Sequence, residues 1–411
     1  MTTSDPEQHS KPVMTGQMFS KSLSVDFKTT ISSQFNYSYA RIVELDDGTF
    51  VVTGEELNNN FNGIPIYRST NGGRSFVKNS DNVHDPKRDS RYNAQWQPHL
   101  YVLKQNVGST LKKEDILLVA TTINNSGTRS MTQTVLNLYV SKDKGITWDF
   151  MSEISRSSVN TIASENGLWE GNLIANDNGI LICFYADETD HQNHSQRIVY
   201  RHTNDGITWS DVVEVVALEN PNMRPGMPSC TRIKNGEYFL ALEMVGEPNV
   251  PIYFKKSDDC LNWGNINDAG TKITVQEQIK DAASGNEMKT VVTLQSSPYA
   301  AWTPVGKDDR GTIFVTSMKS AYSGAQPADV SLIDLYVSYD SGATWSRVDH
   351  PIPYYKEINR PAYSNSITFS RDGKKILVVN SIQPFEDSRT NYMILATVDI
   401  QNSLQDNSEI K

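Results

Sequence analysis

One eight-residue frame, S-x-D-x-G-x-[ST]-[WF], constrains this chain more than any other feature of its sequence. Ser141-Lys142-Asp143-Lys144-Gly145-Ile146-Thr147-Trp148 and Ser338-Tyr339-Asp340-Ser341-Gly342-Ala343-Thr344-Trp345 match it at every defined position. Residues 69–76 put Asn71 in the Asp position, and residues 202–209 keep Asn204, Gly206, Thr208 and Trp209. Residues 256–263 keep Asp258 and Trp263, with Cys260 where the Gly belongs. The pattern makes physical sense as a hairpin turn: Ser and Asp bond nearby backbone groups, Gly supplies positive φ, and the aromatic plugs between strands. It is a device of the fold rather than of chemistry.

A second periodic signal runs between these turns. Asp47-Gly48, the 108–114 loop, Asn178-Gly179, Asn235-Gly236, Arg310-Gly311 and Asp372-Gly373 each precede a β-rich run, the local grammar of antiparallel hairpins. Six hairpins at roughly sixty-residue intervals, with Asp-boxes between them, predict an all-β, six-bladed β-propeller of four-stranded blades around a central channel. The expected organisation is one propeller domain over 25–400, a polar, flexible segment over 1–24 and a polar tail over 401–411. Residues 392–400 are expected to close the ring by pairing with the N-terminal region.

Charge and composition narrow the partners. A net charge of -10 and a pI near 5.3 argue against a nucleic acid or other polyanion, which needs clustered Lys and Arg. The chain has no run of eighteen apolar residues and its N-terminus is polar, so neither a membrane span nor a leader is expected. Cys183, Cys230 and Cys260 show no metal spacing and leave one over, which gives a disulfide framework no support. Sequons at Asn36, Asn124 and Asn193 would permit glycosylation of a secreted form. The compartment stays open between secreted and cytoplasmic. A monomer without metal or cofactor is expected.

In a propeller the innermost strands line the channel, so the segments entering each hairpin converge on one pocket. Of seven tryptophans, four close Asp-boxes and the other three, Trp96, Trp169 and Trp302, fall in entering segments. Together with Arg41, Arg224, Tyr299 and Tyr363 they suit a polysaccharide or oligosaccharide, whose CH faces stack while its hydroxyls need directional partners. Packing between blades is the competing reading for these aromatics. Two carboxylates with apolar neighbours stand out for glycosidic chemistry, Glu170 and Glu243, because burial holds one such group protonated while the other stays ionised. Glu55 and Glu56 are rival acids in a more polar setting.

The residues resemble two families on this scaffold. The Asp-box (BNR) repeats look like those of sialidases, Arg41 resembles their first arginine, and Tyr363-Ser364 resembles their catalytic tyrosine segment. Sialidases, however, hold a carboxylate with three convergent arginines. Glu243 stands where the second belongs, and no arginine occurs between Arg310 and Arg347, where the third should be. The better resemblance is to the exo-α-1,5-L-arabinanases over residues 25–400, whose two catalytic glutamates are similar in position and context to Glu170 and Glu243. That resemblance implies a retaining exo-acting glycoside hydrolase releasing arabinobiose from the non-reducing end of linear α-1,5-L-arabinan. It also implies Glu170 as nucleophile and Glu243 as acid/base, although nothing in their spacing along the chain orders the two. An exo-α-sialidase and a non-catalytic carbohydrate-binding propeller are the alternatives.

Overall fold

The computed structural model describes residues 16–56, 63–79, 81–84, 94–125, 132–158, 166–324, 333–352, 363–382 and 391–406. Among them stand six four-stranded antiparallel sheets. The first runs through Tyr37–Glu44, Phe50–Glu56, Ile66–Ser69 and Val77–Lys78, and the second through Ala94–Val102, Ile116–Asn125, Thr132–Ser141 and Asp149–Arg156. Leu168–Ala175, Leu181–Asp187, Arg197–Thr203 and Val213–Val216 make the third; Arg224–Arg232, Tyr238–Val245, Ile252–Ser257 and Thr271–Lys272 make the fourth. The fifth holds Tyr299–Thr303, Thr312–Thr316, Asp334–Ser338 and Ser346–Asp349. In each of these five the first strand is innermost, and it packs on the first strand of the next blade.

The sixth blade closes the ring as expected. Ser366–Phe369, Lys375–Ile382 and Tyr392–Asp399 supply three strands, and Val25–Ser32 from the other end of the chain supplies the outermost. Hydrogen bonds between the two ends therefore hold the circle shut, which leaves no open edge between last blade and first.

The apolar core is divided among the six blade interfaces, because each sheet is buried on both faces by its neighbours. The Asp-box aromatics plug these interfaces: Phe76 between blades six and one, Trp148 between one and two, Trp209 between two and three. Trp263 and Trp345 do the same for the next two interfaces. Blade six has no such turn, because its outer strand comes from the far end of the chain. Gln17–Phe19 and Leu404–Asp406 pair with each other there and drive Phe19 into the gap between blades five and six, edge-on to Phe314 at 5.0 Å. These short strands fall in the two terminal segments assigned outside the propeller, and the assignment is corrected to that extent.

The Asp-boxes come in two lengths. In the eight-residue form Asp143 Oδ1 accepts the N–H groups of Ile146 and Thr147 at 3.1 and 2.9 Å, and Ser141 Oγ accepts that of Gly145 at 2.8 Å. Two successive left-handed residues, Lys144 and Gly145, make that turn. Blades three and four use one residue fewer and one left-handed residue, Gly206 or Cys260. There Asp205 and Asp259 take the aspartate role, with Thr203 and Ser257 as the hydroxyls. The expected frames at residues 202–209 and 256–263 were thus one residue out of register, and neither Asn204 nor Asp258 is the capping residue.

A three-stranded sheet of Thr274–Lys280, Glu287–Gln295 and Lys319–Gly324, unforeseen from the sequence, is additional to the blade sheets and packs Val275, Val292, Leu294 and Tyr322 into the core between blades four and five. Arg347 of blade five ties it down, bonding Glu277 at 2.6 Å and the Tyr322 hydroxyl at 2.7 Å.

Replacing Phe19 by Ala empties a buried aromatic site and is expected to cost about 3 kcal/mol of stability. Asp143→Ala, which removes exposed turn bonds, is expected to cost about 1–2 kcal/mol. Urea denaturation followed by tryptophan fluorescence ranks the two, and a Phe19→Ala variant as stable as wild type would remove the plug.

Candidate active site

The inner strands do not enter the channel straight. Each blade places a non-glycine residue in the left-handed region at the mouth: Tyr39, Gln97, Glu170, Met227, Ser297 (with Ser296 before it) and Ser364, with φ of 50 to 61°. Next to the first four the register shifts, so each strand carries a bulge. Such a bulge re-aims side chains, and each left-handed non-glycine residue costs about 1–3 kcal/mol unless its surroundings hold it.

An inter-blade hydrogen bond from the backbone N–H holds five of them. Tyr39 N donates to the Tyr363 carbonyl at 3.1 Å, Gln97 N to Glu55 Oε2 at 3.1 Å, and Glu170 N to Gln97 Oε1 at 3.1 Å. Met227 N donates to Glu170 Oε2 at 3.0 Å and Ser297 N to Glu243 Oε2 at 2.8 Å. Five of the left-handed residues, all but Ser297, line a cleft of ≈ 290 Å³ together with Arg41, His99, Asn172, Ser229 and Tyr299, each two positions after a left-handed residue.

Glu170 opens into this cleft while its carboxyl is enclosed. Burial, reinforced by the charge of Glu243, pushes it up to about 8, against the Met227 N–H and the Tyr39 hydroxyl at 3.3 Å that favour the anion. Glu243 sits behind the cleft wall, 6% exposed, with Oε2 accepting from Ser296 Oγ at 2.6 Å as well as from Ser297 N. Burial raises it too. A Cβ on Gly226 would press within 3.3 Å of Glu243 Oε1, so glycine keeps the backbone open beside that oxygen.

Among the described residues, Arg41 is the one Lys or Arg lining the cleft. Its guanidinium lies 4.9 Å over the Tyr299 ring and donates to the Ser364 carbonyl and hydroxyl at 2.8 and 2.7 Å. His99 accepts the Leu173 N–H on Nδ1 at 3.1 Å, and burial pushes it down to about 3, so it stays neutral. Tyr299 lies 3.3 Å from His99 Nε2. Tyr363 stacks edge-on with Tyr39 at 5.4 Å, and its phenol feels the charge of both glutamates.

The other expected binding residues divide. Trp96 and Trp169 stack at 6.4 Å outside the cleft lining, and Trp169 Nε1 donates to Glu188 at 3.0 Å. Arg224 is spent on Glu188 and on Gln196, at 2.9 Å, and does not line the cleft. Trp302 is corrected outright: it lies three residues, about 10 Å, down the strand from Tyr299. Its indole N–H bonds the Arg310 carbonyl at 2.9 Å in the hairpin at the opposite end. Pro361 and Ala362 of the sixth entering segment lie outside the described residues. Gln97, His99 and Asn172 were not singled out, although superposing Tyr39-Ala40-Arg41, Gln97-Pro98-His99 and Glu170-Gly171-Asn172 would have aligned them. Among the described residues, Asp190, His194 and Glu214 could reach a common cation. Arg197 already bonds both carboxylates, at 3.4 and 2.6 Å, and fills that place.

No known protein-family profile matches the chain, and no curated protein matches it. Solved structures do. The alpha-L-arabinanase of Penicillium chrysogenum, complexed with arabinobiose, is 27% identical over 95% of this chain and 99% of that one, with a TM-score of 0.70. The alpha-L-arabinofuranosidase of Fusarium graminearum, with an iminosugar inhibitor, is 25% identical over 92% and 99%, with a TM-score of 0.71. A Hadza microbial sialidase, 14% identical over 89% of this chain and 66% of that one at a TM-score of 0.54, shares the fold alone. By this likeness the chain is an arabinanase-like glycoside hydrolase, built on the sialidase-like six-bladed propeller.

Proposed function

We propose that the protein is a retaining, exo-acting hydrolase that releases arabinobiose from the non-reducing end of linear α-1,5-L-arabinan, with Glu170 and Glu243 as its catalytic pair. The observation that carries the pair is their placement on either side of the Gly226-Met227 bulge, one bonded to Met227 N and the other against Gly226. The arabinobiose held by the Penicillium neighbour supports the substrate and product.

In a retaining reaction one carboxylate attacks the anomeric carbon while the other protonates the leaving oxygen; water then resolves the glycosyl-enzyme. A spacing of about 5–5.5 Å suits that direct attack. The charge pattern of the empty site bears on the roles. Glu243 holds the shorter hydrogen bonds, 2.6 and 2.8 Å against 3.0 and 3.3 Å, so it is the better-stabilised anion and the proton rests on Glu170. This favours Glu170 as acid/base and Glu243 as nucleophile, the reverse of the order implied by the resemblance. Arg41, His99, Asn172, Tyr299 and Tyr363 would bind sugar hydroxyls, and the Trp96–Trp169 platform would carry sugar units beyond the cleft. One arginine among several acids gives a sialoside carboxylate no clamp, and no sialic acid release is expected.

Alanine at either glutamate is expected to lower kcat on linear arabinan by roughly 10²–10⁴-fold or more. With an activated aryl arabinoside and azide, Glu243→Ala should yield the inverted glycosyl azide and Glu170→Ala the retained one. The opposite stereochemistry restores the order of the resemblance, and wild-type activity in both variants would falsify the pair. The same electrostatics sets a pH limit. An acid raised to about 8 is protonated below that value and loses its proton above it, so kcat/KM should fall as pH climbs through about 8. A fall near pH 4.5 would show the ordinary carboxyl value instead.

A further inference from the structure

Glu55 is a third buried acid at the mouth of the channel, outside the cleft lining and unused by the chemistry above. It was read from the sequence as sitting in a polar setting, but it is 8% exposed. Its neighbour Glu56 is the polar one, paired with Lys78 at 2.8 Å and bonded by Tyr67 at 3.3 Å. Glu55 stands in the second strand of blade one as Glu243 stands in that of blade four, each seven residues after a hairpin glycine, Gly48 or Gly236. Both make the same bond: the carboxylate accepts the N–H of the left-handed residue in the next blade.

The residue held by Glu55 is Gln97, and Gln97 holds Glu170. Gln97 Oε1 accepts the Glu170 N–H at 3.1 Å and the Thr121 hydroxyl at 3.2 Å. Its Nε2 reaches Tyr39 Oη at 3.4 Å and Glu170 Oε1 at 3.5 Å. Any shift of the Gln97 backbone is thus transmitted to the amide and the carboxyl of Glu170 together.

Resting on the proposed role of Glu170, we infer that Glu55 is a positioning residue for the reaction, acting through Gln97 to hold the Glu170 carboxyl in register with the scissile bond. A carbonyl oxygen in place of the carboxylate keeps the bond, whereas alanine leaves a left-handed residue without its cap.

The test is steady-state kinetics on linear arabino-oligosaccharides for Glu55→Ala, Glu55→Gln, Gln97→Ala and the Glu55→Ala/Gln97→Ala double variant, with Glu170→Gln as reference. Glu55→Ala should lower kcat by roughly 10- to 100-fold with KM within about twofold, the signature of a misplaced reacting group. Glu55→Gln should recover kcat to within about threefold, since its amide oxygen accepts the same N–H. In the Gln97→Ala background the Glu55→Ala change should cost less than about twofold more, because the two residues act along one line. Wild-type kcat in Glu55→Ala, or losses that multiply in the double variant, overturns the inference. An active Glu170→Gln instead overturns the reading on which it rests, and the two failures are told apart by that single reference.

Discussion

Six strands converge on one small ring, and their backbone there is bent into conformations that ordinary residues avoid. Three of the six left-handed residues, Gln97, Met227 and Ser297, also precede a proline, which steers the preceding residue away from the helical region. The bends persist because the neighbouring blade supplies an acceptor for the N–H of the bent residue, and at three blade boundaries that acceptor is a glutamate. Site and scaffold therefore depend on the same bonds. The carboxyl groups that could do chemistry are the ones that stabilise the strained backbone, and the strained backbone aims them.

The same economy explains the electrostatics. Tyr39 is surrounded by the charges of Glu55, Glu170 and Glu243, and Arg41 is the nearby cation of the cleft. Enclosed acids with too little positive charge to balance them are raised, Glu170 to about 8 and Glu55 to about 7, in both chiefly by burial. Amide and hydroxyl donors pull the other way, most strongly at Glu243. On the proposed roles one carboxyl of the pair keeps a proton while the other is ionised, and unequal hydrogen bonding rather than a difference in burial is what separates them.

The two ends of the propeller carry separate tasks. Asp-boxes and first hairpins lie at the end away from the cleft, where turn bonds and aromatic plugs seal the blade interfaces. Because blade six borrows its outer strand from the N-terminal region, it has no turn to carry a plug, and the paired terminal strands bring Phe19 instead. Ring closure thus has two parts, a β-pairing at the rim and a buried phenylalanine at the interface.

Repetition made the architecture legible. Six hairpins, five of them turning on a glycine, and five aromatic turns determine blade number, strand order and the end at which the entering segments meet, because each is a local demand on φ or on an interface. The same locality misled where a repeat lost one residue: a seven-residue Asp-box needs one left-handed residue rather than two, and the capping role moves to Asp205 and Asp259. Glu170 and Glu243 could be picked from their apolar surroundings, whereas Trp302 could not be excluded without knowing how far down its strand it lies. Tertiary structure alone decided the partners across blades: that Glu55 caps Gln97, that Gln97 holds Glu170, and that Arg224 is spent on Glu188. The reason is physical. A turn is written in consecutive residues, but the acceptor for a bent strand's N–H comes from a strand some tens of residues away, and only closure of the ring brings the two together.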